Sequence, residues 1–100
     1  MSYSLRIFEA DDATPGQVRQ AELRFRRALE EALGDEGLVL PVYRAYQAIV
    51  ATYGESPDLD ALTDAERVIL EQWHTAEAAA LAAAFGTHRY MGDAMYEIAP

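Results

Sequence analysis

Cysteine, lysine and asparagine are all missing from these 100 residues. Without cysteine there are no disulfides, no thiolate nucleophile and no cysteine-based zinc site, and the chain is compatible with a reducing cytoplasm, which is the expected location. Serine is scarce, at Ser2, Ser4 and Ser56, and no predicted histidine stands beside Ser56, so little material exists for nucleophilic catalysis. No uninterrupted apolar run reaches a membrane-spanning length, and Met1 to Ala10 lacks the basic-then-apolar pattern of a signal peptide. Neither a membrane anchor nor secretion by that route is expected. Because lysine is absent, all eight positive side chains are arginine. That usage fits GC-rich codons and points to a bacterial, phage or plasmid source.

What is present suits one compact domain spanning residues 1–100. At 51% apolar and 10% aromatic residues, the chain can bury enough surface to offset the entropy of ordering, and its length suffices for one core. The formal net charge is −9. Residues 1–50 hold eight acids against six arginines, a net −2, whereas residues 51–100 hold nine acids against two arginines, a net −7. From Glu55 to Glu77 seven acids face only Arg67. Such a surface repels phosphate backbones, which argues against direct nucleic-acid binding and for a basic protein partner or a solvating face.

Ser2 to Glu9 alternates, Tyr3, Leu5 and Ile7 on one side and Ser4, Arg6 and Phe8 on the other, which predicts a half-buried strand. Thr14 and Gln17 have capping-box spacing around Pro15, and a helix from Pro15 to about Leu33 follows, stopped by Gly34. Its apolar residues (Val18, Ala21, Phe25, Ala28, Leu29, Ala32 and Leu33) share one face. Val42, Tyr46, Ile49, Val50 and Tyr53 recur at helical spacing behind Pro41 and predict a second helix starting near Pro41 and ending at Gly54, although β-branched and aromatic content also suits a strand. Glu55 to Leu62 reads as a polar connector pinned by Leu59 and Leu62. Thr63 and Glu66 form a second capping box opening a helix that runs to Phe85. Gly92 and Asp93, between two short apolar runs, signal a C-terminal hairpin. Three helices packed on a small antiparallel sheet, made of the N-terminal strand and this hairpin, is the expected α+β fold; an all-α helical bundle is the alternative.

Five candidate features follow. Glu71 and His74 stand one turn apart as Glu-x-x-His, a spacing that resembles the carboxylate-bridged di-iron bundles in three or four residues. That resemblance implies a dimeric ferritin-like metal site in which Glu30 or Glu31 adds the bridging acid, but the row drifts by about 60° between members. Glu77 projects among Leu70, Trp73, Leu81 and Ala84, so its carboxylate needs a partner, either an arginine of the first helix or Tyr46 or Tyr53; otherwise it is a general base or an oligomer contact. Leu23, opposite the apolar stripe and ringed by Arg19, Arg26 and Arg27, marks a second docking face, and Tyr43 and Tyr90 are candidate recognition residues. Seven alanines in the nine residues Ala76 to Ala84 predict a tightly packed helix pair, within the fold or across a homodimer. The fifth feature is the acidic segment, with Glu55, Asp58, Asp60 and Asp64 as partner-binding candidates.

Taken together these features predict a small acidic, non-enzymatic protein that acts by binding another protein as an accessory, inhibitory or regulatory component, without a cofactor. The acidic segment would mask a basic nucleic-acid-binding surface of the partner by imitating phosphate spacing. The alternatives are the ferritin-like metal protein and a small-molecule-binding domain using Glu77 and a tyrosine near Trp73.

Overall fold

A computed structural model describes residues 3–7, 14–85 and 96–100. Strand β1 (Ser4–Ile7) leads to helix α1 (Pro15–Leu33), helix α2 (Val39–Tyr53), helix α3 (Asp64–Phe85) and strand β2 (Tyr96–Ala99), with one-turn 3-10 helices at Glu36–Leu38 and Leu59–Ala61. The three helices pack against the two-stranded antiparallel sheet, an α+β arrangement, and the sheet rules out the all-helical alternative. Ser4 lies opposite Ala99, and Ile7 opposite Tyr96. The expected hairpin is described only through β2; its other run and the Gly92-Asp93 turn lie outside the described residues.

The local signals explain the element ends. Thr14 accepts a hydrogen bond from the Gln17 amide while the Gln17 side chain accepts one from Thr14, so both orphan donors at the start of α1 are satisfied. Gly34 ends the helix at φ 97°, in the left-handed region where a Cβ is penalised. Helix α2 starts at Val39, two residues before Pro41. A proline in the first turn removes no intrahelical bond, because the first four N–H groups have no partner there.

The core lies between α1, α3 and the sheet. Ala21, Phe25, Leu29 and Leu33 of α1 meet Trp73, Ala76, Ala80 and Ala84 of α3, with Tyr3, Ile7 and Ile98 closing one side and Val39 and Val42 the other. Only three of the seven alanines are buried, and these recur once per turn, so α1 approaches along a row of single methyl groups. The alanine run therefore serves a helix pair within the fold. Ala78, Ala79, Ala82 and Ala83 face solvent, where alanine contributes helix propensity alone.

A satellite cluster of Ile49, Leu62 and Leu70, with Tyr46, Tyr53 and Ile69 around it, anchors the connector between α2 and α3. Leu62 alone is the pin. Leu59, expected to share that task, is 56% exposed.

Candidate protein-binding faces and the Glu77 cluster

The acidic end is built by a chain of local bonds around the start of α3. Thr63 and Glu66 cap each other at 2.9 and 3.1 Å, and the Tyr53 hydroxyl donates to Glu66 at 3.1 Å, tying α2 to that cap. Glu66 is held below its ordinary carboxylate range, first by the Thr63 backbone bond and also by Tyr53. Asp58 accepts from the Asp60 amide at 3.0 Å, which shapes the one-turn helix. Arg67, the one cation of this segment, donates to the Leu59 carbonyl at 2.9 Å and to Asp64. Glu55, Asp58, Asp60, Asp64 and Glu71 are all exposed. Among them stand two large apolar side chains, Leu59 at 56% and Val68 at 58% exposure. Asp64, Val68 and Glu71 follow at i, i+4 and i+7 and share one outer stripe of α3.

His74 is also exposed, its ring edge-on to Tyr46 at a centroid distance of 5.5 Å. Among the described residues no three His, Asp or Glu side chains gather as a metal-binding group. Of the two acids that the ferritin-like reading offers as a bridge, Glu31 is exposed, and Glu30 accepts the Tyr3 hydroxyl at 2.8 Å and pairs with Arg26 at 3.5 Å. That carboxylate is committed to holding the start of β1 on α1.

Glu77 is half-buried, not fully buried, and its partner is neither an arginine of α1 nor Tyr46 or Tyr53. The Tyr96 hydroxyl of β2 donates to it. Burial and then the Glu77 bond push the Tyr96 hydroxyl far above its ordinary value. Tyr43 and Tyr46 are raised too, each by burial first and by the nearby Glu77 charge second. Trp73 forms the floor, with Tyr43 at 4.9 Å and Tyr46 at 5.9 Å between ring centroids. Its indole N–H lies near enough to Tyr96 to favour the ionised hydroxyl slightly, yet the contact misses hydrogen-bond geometry, and Nε1 is buried without a partner among the described residues. Tyr43 thus belongs to a core edge. Tyr90 lies outside the described residues.

Leu23 is 62% exposed, as expected for a residue opposite the apolar stripe. Beside it runs a groove of 240 Å³ lined by Leu5, Arg19, Glu22, Leu23 and Arg26. Arg26 is engaged: it donates to the Tyr3 carbonyl, lies 4.5 Å above the Tyr3 ring centroid, and meets Glu30 without hydrogen-bond geometry at Nε. Burial and Glu30 push the Tyr3 hydroxyl up to about 12. Glu22 accepts the Ile7 amide at 2.9 Å. Sequence reasoning passed over Glu22, Val68 and Tyr96. Val68 was legible as an exposed apolar position between acids; the other two depend on strand register.

Compared with family models, with curated proteins and with solved structures, the chain finds no match.

Proposed function

We propose that the chain acts by binding a basic protein through the N-terminal end of α3 and the one-turn helix before it. The observation that carries this reading is the pair of exposed apolar side chains, Leu59 and Val68, set among exposed carboxylates that have few cations to neutralise them. Apolar anchors inside a charged rim are the usual anatomy of a protein interface. Asp58, Asp60, Asp64 and Glu71 supply the rim, and Glu55 extends it. A partner with a nucleic-acid-binding surface would meet acids where it expects phosphates, and its binding of nucleic acid would be blocked.

The test is capture from cells of the native host on the immobilised protein. Basic proteins that leave as salt rises, are displaced by duplex DNA and are lost on V68R are the expected result. Rim contacts of this kind act largely through long-range attraction, so the association rate should fall steeply with ionic strength. Capture that survives V68R and L59R but fails with L23R would overturn the assignment of this face.

A further inference from the structure

The backbone of β1 alternates in which edge it serves. Because the Ile7 amide goes to Glu22 and the Tyr3 carbonyl to Arg26, the odd residues direct their N–H and C=O groups away from β2, and Ser4 and Arg6 direct theirs toward Ala99 and Glu97. Leu5 sits between the two capped positions. Its N–H and C=O therefore lie on the outer edge, beside the groove that Leu5 itself lines with Arg19, Glu22, Leu23 and Arg26. Among the described residues nothing pairs with them.

We propose that this edge is the interface of a homodimer, in which β1 of a second copy pairs antiparallel with β1 about a twofold axis through Leu5. Three features of the edge are self-complementary. An antiparallel pair centred on Leu5 needs only Leu5's own donor and acceptor, each bonding its counterpart in the second copy. The same register sets Tyr3 opposite Ile7, so the Tyr3 carbonyl and Ile7 amide find each other across the axis. Glu22 and Arg26, released from these groups, then face one another between copies, because each sits beside the residue that the other's strand opposes. The caps exchange partners, and neither Glu22 nor Arg26 is left unpaired.

The groove also supplies an apolar centre. Leu5 is partly buried in the monomer and Leu23 is exposed, and the twofold axis brings both pairs together. Charge permits the approach: the groove holds two arginines against one glutamate in a chain of net −9, so the acidic excess of the chain is not in the groove itself. The paired sheet would run β2, β1, β1, β2, which covers the exposed edge of β1.

Sedimentation equilibrium over about 1 μM to 1 mM, with hydrogen exchange at both ends of that range, tests the proposal. A concentration-dependent dimer is expected, with the Leu5 amide protected in the dimer and exchanging freely in the monomer while the Arg6 amide stays protected in both. L23R alters an exposed residue and leaves the melting curve of the dilute monomer in place, yet it sets two like charges together at the axis and weakens the dimer by about 100-fold or more. E22R combined with R26E restores self-association but does not pair with the unaltered chain. A monomer throughout the range would mean that Glu22 and Arg26 guard the edge against pairing, and would overturn the proposal. So would a dimer that ignores L23R or leaves the Leu5 amide unprotected.

Discussion

The hydroxyl of Tyr96 and the carboxylate of Glu77 form the one direct side-chain hydrogen bond between β2 and α3 among the described residues. The bond lies beside the aromatic floor made by Trp73, and Phe25 packs on the Tyr96 ring at 5.0 Å between ring centroids. It therefore couples the last strand to the central helix pair.

Removing the hydroxyl with Y96F leaves a half-buried carboxylate without its donor. The expected loss is about 1 to 2 kcal/mol, the range for a hydrogen bond to a charged group tempered by partial solvent access. E77Q keeps an acceptor and should cost less than Y96F. Urea unfolding of the two single variants and the double variant checks this, since the double-mutant cycle isolates the pair.

Alkaline pH should loosen the fold through tyrosine. A phenol whose folded value is raised binds its proton more tightly folded than unfolded, so its contribution is complete below the unfolded value and disappears as pH rises through the folded one. For Tyr3 that window runs from 10.0 to about 12. Stability measured by denaturant should fall from pH 10 upward, and Y3F, which cannot ionise at that site, should flatten the decline.

The alanine row predicts sharp positional contrast. A80L forces extra methylenes between α1 and α3 at a fully buried position and should cost about 1 to 3 kcal/mol or more. A79L and A83L, on exposed positions of the same helix, should stay within about 0.5 kcal/mol. Thermal melts of the three variants compare them directly.

T63A removes the acceptor of the Glu66 amide and should destabilise the protein by about 1 kcal/mol. The cap also orders the acidic face, so the same variant should weaken binding of a basic partner by more than T14A, which caps the far helix α1 with similar geometry. Binding measured for both variants at equal stability separates the two effects.

Helix ends and most of the core were legible in the chain, because capping boxes at Thr14 and Thr63 and the i, i+4 spacing of Phe25, Leu29 and Leu33 are local signals. What the sequence concealed is set by pairing over long separations. Tyr96 meets Glu77 only once the register places it opposite Ile7, and Glu22 reads as surface charge until β1 lies along α1. Arg26 illustrates the same limit. Its position suggested a docking residue, whereas the edge of β1 and the Tyr3 ring take its donors and its charge. Leu59 departed for a different reason: Leu62 already fills the satellite cluster, and Leu59, at the start of the one-turn helix, is left exposed.

The pairing of Ser4 with Ala99 joins residues 95 positions apart, so the sheet closes a loop made of nearly the whole chain. Loop-closure entropy grows with that length, whereas α2, its connector and α3 meet over short separations. The helices are therefore expected to assemble first, with the strand pair fastening late and opening early under mild denaturant. The contacts that depend on it, Tyr3 with Glu30 and Tyr96 with Glu77, would then report the final step of folding rather than its beginning.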